Sequence, residues 1–235
     1  MGAERFSFEV GTSTATAVRY RAEASRATLV LAHGAGAPQS HPWIVKVARA
    51  LAARGLDVVT FNFPYSEARK RVPDRNDVLE SAWRAVVAAV RVRAADDGAA
   101  GAAGMDRLFL AGKSMGGRIA TQVAARGDVP VSGLVLLGYP LHPPGKPDQL
   151  RAAHLPRVAA PMLFVQGSRD VFGTPDELRP IVERLSAGTR LFVVEGGDHS
   201  LARPKSSGES LDQTLGRVCD EVVRFVASTG APPPR

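Results

Sequence analysis

The sequence predicts an α/β fold: a mostly parallel sheet covered by helices on both faces. Three observations carry that expectation. Continuous apolar runs recur at 28–32, 56–62, 131–138 and 161–167, as strands buried on both faces require. Between them lie stretches with apolar residues at helical spacing, and strands alternating with helices over short connections specify parallel pairing. Ser114, Asp170 and His199 each fall just past the end of an apolar run, where open parallel sheets place their ligands.

Residues 5–10 and 15–22 are short and alternating, with Gly11 to Ser13 as the turn between them, and predict an antiparallel hairpin at a sheet edge. The first buried strand, 28–32, runs into His33-Gly34-Ala35-Gly36. A helix over 42–54 follows, with Trp43, Val47, Ala50 and Leu51 on one face and Gly55 suited to a left-handed cap. The second buried strand, 56–62, leads into Phe63-Pro64-Tyr65 and a basic loop over 69–75. The next helix opens near Asp77, with Glu80 three residues on as a capping box, and turns Leu79, Trp83, Val86, Val87 and Val90 inward.

Between 94 and 104 the chain is mostly alanine and glycine, too small to bury much, and a mobile surface connection is expected. A strand then enters a Gly-x-Ser-x-Gly turn at 112–116, and the helix after it ends at Arg126-Gly127. Residues 131–138 are a further strand, and the proline-rich stretch 139–160 is a loop with at most a short helix. After the strand 161–167, Thr174-Pro175-Asp176-Glu177 supplies a cap, a first-turn proline and a capping-box glutamate for a helix that Gly188 closes. The last strand is 189–195 and the last helix 209–228, with Leu211, Leu215, Val218, Val222 and Phe225 on one face.

A chain of 235 residues suits a single domain, expected over 1–228, with a disordered tail over 229–235. The net charge is +7, yet only five of the thirty basic residues are lysines and the arginines are scattered. The densest cluster, Arg69-Lys70-Arg71 with Arg75, has no interleaved aromatic and matches no nucleic-acid-binding motif, so it reads as a solvated basic face. No nucleic-acid partner is expected. No stretch approaches the length of a membrane span and no leader is recognisable at the N-terminus, so a cytoplasmic protein without a membrane partner is expected. Cys219 has no partner for an internal disulfide and sits among apolar neighbours in a helical pattern, as a buried small hydrophobe would.

The turn around Ser114 matters most. A strand, Gly-x-Ser-x-Gly and a helix together hold a serine hydroxyl out at the carboxyl edge of a sheet, with glycines letting strand and helix approach. Acyl transfer also needs a base, an acid to orient it and donors for the oxyanion. Asp170 lies 56 residues after Ser114 and His199 another 29 on, and the order Ser, Asp, His is that of one known arrangement of these groups. Asp198, beside His199, and His142, in the proline loop, are the rivals. The oxyanion donors are expected to be the amide of Met115, at the helix start, and that of Ala35. His33 is expected to bond its own loop.

The segments 31–36, 61–65, 111–117, 138–143 and 167–170 resemble the α/β-hydrolase superfamily. More narrowly, they are similar to the small dienelactone-hydrolase-like branch that includes uncharacterised bacterial hydrolases and relatives of a subunit of a histone acetyltransferase complex. The resemblance spans nearly the whole chain and implies an eight-stranded α/β-hydrolase fold with Ser114, Asp170 and His199 as the triad. It implies no substrate. Dienelactone hydrolases proper use a cysteine where this chain has Ser114, and 139–160 is too short for the multi-helix lid of many esterases, so an open pocket is expected.

The expected function is therefore a serine hydrolase acting on a small ester or thioester, with no cofactor and no metal. Gly34, Tyr65, Lys113 and His142, with Arg69, are expected around the acyl substrate. A binding or scaffold protein on the same fold is the alternative.

Overall fold

A computed structural model describes residues 2–96 and 106–230. Most of the connection expected to be mobile, and the tail from 231, lie outside the described residues. The strands are β1 (Ala3–Val10), β2 (Ser13–Tyr20), β3 (Thr28–Ala32), β4 (Asp57–Phe61), β5 (Leu108–Lys113), β6 (Gly133–Leu137), β7 (Met162–Gly167) and β8 (Arg190–Val194). They form one sheet in the order β1-β2-β4-β3-β5-β6-β7-β8. The hairpin β1-β2 is antiparallel and joins β4 antiparallel, while the six strands from β4 to β8 are parallel. Eight strands, mostly parallel with an antiparallel edge, are what the sequence and its resemblance lead one to expect.

The apolar runs are continuous because each central strand feeds two cores. Val30, Leu110, Leu134, Leu136, Met162 and Phe164 face one core, and their neighbours Leu29, Leu31, Phe109, Val135, Leu163 and Val165 face the other. The first core is closed by α3 (Asn76–Asp96) and α4 (Met115–Arg126), and the second by α1 (Pro42–Ala52) and, at the far end of the chain, a helix over Leu211–Ser228. Trp83 of α3 is fully buried against Phe61, with ring centroids 4.9 Å apart. Cys219 is fully buried as expected, and burial pushes its thiol up to about 11.

Several element ends differ from expectation for identifiable reasons. A four-residue helix, α2 (Pro64–Glu67), precedes the basic loop; a single turn carries too little periodicity to be seen. Glu80 does not close a capping box. It lies buried beneath Arg126, accepting from Nε at 2.6 Å and Nη2 at 3.2 Å, and so ties α3 to α4. The helix α5 (Pro175–Val182) has the full capping box of Thr174 and Glu177. It stops at Val182, well before Gly188, and Pro180 lies inside it without ending it, since Glu183 N still donates to Arg179 O at 3.1 Å. The remaining helix, α6, also starts on a capping box, from Ser210 and Gln213.

Parallel strands share a direction, so the carboxyl ends of β3, β5, β6, β7 and β8 lie along one edge. That edge carries the loops 33–36, 138–143, 168–174 and 195–202 and the start of α4. The connection after β6 holds one short 3-10 turn, Leu155–Arg157, and no inserted helical lid.

Candidate active site

Ser114 is held in a conformation it would not choose. Its backbone has φ 50° and ψ −117°, a region that costs a non-glycine residue about 1–3 kcal/mol. Two hydrogen bonds and two close backbone approaches surround it. The Ser114 amide donates to Leu137 O at 3.0 Å, and its carbonyl accepts from Arg118 N at 3.0 Å. The glycines on either side let strand and helix meet: a Cβ on Gly112 would lie 2.2 Å from Gly117 N, and one on Gly116 2.6 Å from His33 O. No larger residue fits at either position.

The structure brings Ser114, His199 and Asp170 into one hydrogen-bonded line. Ser114 Oγ and His199 Nε2 are 2.8 Å apart, and His199 Nδ1 lies 2.8 Å from Asp170 Oδ2 and 3.0 Å from Oδ1. A carboxylate only accepts, so Nδ1 carries the proton and Nε2 is left to accept from the serine hydroxyl. The Asp170 side chain is sealed from solvent while 21% of the His199 side chain remains exposed. The imidazole thus faces outward and the carboxylate does not. The Phe172 ring packs on the imidazole with centroids 4.2 Å apart.

Asp170 has further partners that sequence reasoning did not find. The Phe172 amide donates to Oδ1 at 2.8 Å, and Gln166 Nε2 donates to Oδ2 at 2.8 Å. Gln166 is itself fully buried. Its Nε2 also reaches Gly173 O at 2.7 Å, and its Oε1 accepts from Tyr139 N at 2.8 Å. The available signal was a polar residue ending the otherwise apolar run Met162–Val165. The rival acid, Asp198, is turned to its own loop, where Oδ1 accepts from the amides of Ser200 at 2.7 Å and Ala202 at 3.0 Å.

On the other side of the serine stands the loop after β3. A Cβ on Gly34 would lie 3.6 Å from Ser114 Cβ, so this backbone abuts Ser114 directly. His33 shapes the loop, as expected: Nδ1 donates to Gly34 O at 2.7 Å and Nε2 accepts from Phe63 N at 3.3 Å. Complete burial drives its basicity down to about 4, outweighing the Gly34 bond, so the ring stays neutral as both bonds require. Met115 opens α4, where first-turn amides have no acceptor within the helix. Ala35 is exposed in the loop after β3.

The polar atoms of the three other expected substrate contacts are engaged within the protein. The Tyr65 hydroxyl donates to Ala35 O at 3.0 Å, and burial, with Asp74, raises its own ionisation to about 12. Tyr65 therefore braces the Ala35 loop from behind. Lys113 Nζ donates to His199 O at 3.2 Å. His142, only 5% exposed, pairs with Pro143 O at 2.8 Å and Glu177 Oε1 at 3.2 Å, tying the loop after β6 to α5. Arg69 is exposed in the basic loop. Among the described residues, no three His, Cys, Asp or Glu side chains are grouped to hold a metal ion, and no helix is long and apolar enough to cross a membrane.

This arrangement, a serine on a strand-to-helix turn with a histidine and a buried carboxylate behind it, is chemically suited to nucleophilic attack on an acyl carbon. Solved structures share the fold over nearly their whole length. The chain is similar to an alpha-beta serine hydrolase homologue from Coxiella burnetii (TM-score 0.72, 22% identity, covering 95% of this chain and 97% of the other). It is also similar to a dienelactone hydrolase from Anabaena variabilis (TM-score 0.71, 20% identity, 97% and 98% covered). A lidless α/β serine hydrolase from Xanthomonas campestris matches likewise (TM-score 0.72, 20% identity, 99% and 98% covered). The family model described as an alpha/beta hydrolase domain matches residues 25–227, which takes in every residue of the hydrogen-bonded line, and the chain belongs to that family.

Proposed function

We propose that the chain is a serine hydrolase that cleaves a small ester or thioester through an acyl-enzyme on Ser114. The observation that carries this reading is the unbroken line from Ser114 Oγ through His199 to Asp170, with both links at 2.8 Å. His199 Nε2 takes the hydroxyl proton as Oγ attacks the carbonyl carbon. The amides of Met115 and Ala35 hold the oxyanion. Collapse expels the alcohol or thiol, which receives its proton from His199, and a water deprotonated by the same nitrogen then releases the acid. Asp170 fixes the tautomer and offsets the imidazolium charge. Gly34 faces the acyl group in this reading, because its backbone stands against Ser114. The short connection after β6 leaves the serine approachable, which suits small acyl groups.

The test is labelling by a fluorophosphonate probe together with hydrolysis of p-nitrophenyl acetate and butyrate. The wild type should label and turn over. Ser114→Ala should abolish labelling, and Ser114→Ala or His199→Gln should lower kcat by about a thousandfold or more. Folded wild-type protein that neither labels nor hydrolyses any ester would favour a binding or scaffold role instead.

A further inference from the structure

Lys113 directly precedes the nucleophile, yet its ammonium reaches across to the loop that carries the base. Nζ donates to the main-chain carbonyl of His199 at 3.2 Å and sits 5.3 Å from the centroid of the Trp43 ring. Trp43 Nε1 in turn donates to the next carbonyl, Ser200 O, at 3.0 Å. One residue of β5 and one of α1 thus grip consecutive carbonyls of the His199 loop. The loop is already folded on itself by Asp198, whose backbone exchanges hydrogen bonds with Leu201 and Ala202. Its internal shape therefore does not need Lys113, and the loop after β7 anchors it from one side, where Arg169 N donates to Gly197 O at 2.8 Å; the Lys113 bond adds a tie to β5.

The lysine is held at a cost. Burial weakens its hold on its proton, with Asp170 and Asp198 opposing that effect. A partly buried ammonium gives up hydration that an apolar side chain in its place would not have to lose. A charge retained in such a place is explained by the bond it makes.

We infer that Lys113 is a positioning residue, whose ammonium, braced on Trp43, fixes the His199 main chain against β5 and so keeps His199 Nε2 in register with the Ser114 hydroxyl. The tie runs from the residue beside the nucleophile to the residue that is the base. The inference rests on the reading of Ser114, Asp170 and His199 as the reacting triad.

The experiment uses the full chain as wild type, Lys113→Met, Lys113→Arg and Trp43→Phe, each checked for cooperative unfolding. Two readouts are taken: kcat and KM on p-nitrophenyl butyrate, and the downfield proton resonance of the His199–Asp170 hydrogen bond. Lys113→Met should lower kcat by about tenfold or more with KM changed less than about twofold, since displacement of a base by a fraction of an ångström acts on the chemical step. Its downfield resonance should broaden or vanish. Lys113→Arg, which can still donate to the carbonyl, should recover most of both. Trp43→Phe, which keeps a ring under the ammonium but loses the bond to Ser200, should give a smaller loss of kcat at unchanged KM. A raised KM at unchanged kcat in Lys113→Met would make the lysine a substrate contact and overturn the inference. So would an unaltered resonance and rate. If wild-type protein shows no labelling or turnover, the triad reading fails on its own, and the resonance alone decides the Lys113 tie.

Discussion

Gln166 and Asp170 meet side chain to side chain at 2.8 Å in a place that solvent does not reach. The amide gives Asp170 a donor that water would supply on a surface, and it does so while bonded to Tyr139 and Gly173 on either side. Gln166→Leu should therefore leave a buried carboxylate oxygen, the Tyr139 amide and the Gly173 carbonyl without this partner. The expected loss is about 1–3 kcal/mol in urea unfolding, as for buried groups left unsatisfied. In the proposed reaction Asp170 orients His199 without touching the substrate, so kcat on esters should fall by about tenfold with little change in KM.

Two glycine-to-alanine changes should act in opposite directions. At Gly116 the new methyl would stand 2.6 Å from His33 O and 2.8 Å from Ala32 Cβ, so β3 and the start of α4 must part. A loss of about 2 kcal/mol or more is expected, together with loss of fluorophosphonate labelling. At Gly216, within α6, the nearest atom is Arg54 Nη2 at 3.9 Å. There, helix propensity alone acts, and Gly216→Ala should raise stability by about 0.5–1 kcal/mol. Urea midpoints of the two variants and the wild type decide the matter.

The pH dependence of stability follows from His33. Its basicity is lowered from 6.5 to about 4 by burial, so the unfolded chain binds a proton that the folded chain refuses. The stabilisation from keeping it neutral is fully present above about pH 6.5 and is lost as the pH falls towards 4. For His33 alone the loss approaches about 3 kcal/mol. His154, less buried and also lowered to about 4 by burial and then by Arg118 and Arg157, adds to the same window. Urea unfolding at steps between pH 7 and pH 4.5 should show this slope, and His33→Gln should flatten part of it. An identical slope in that variant would contradict the assignment.

Much of the fold was legible because each central strand serves two cores at once, which leaves a largely apolar run bounded by turn residues. That Ser114, Asp170 and His199 would meet was legible because each follows such a run, and strand ends share an edge. Side-chain direction was not legible. Tyr65, Lys113 and His142 are close to the site in sequence terms, yet their polar atoms bond Ala35, His199 and Glu177, and only the folded backbone fixes which way each points. Glu80 shows the same limit. Its spacing from Asp77 imitates a cap, whereas its partner Arg126 is 46 residues away.

The positive φ at Ser114 sets the fold and the chemistry against each other. A residue without a Cβ would relieve the turn, so Ser114→Gly is expected to unfold at a higher urea concentration than Ser114→Ala, by about 1 kcal/mol, while neither variant reacts with a fluorophosphonate. Directed selection for thermal resistance alone should therefore drift towards losing the hydroxyl, and a screen for hardier forms of this protein must keep turnover in its readout.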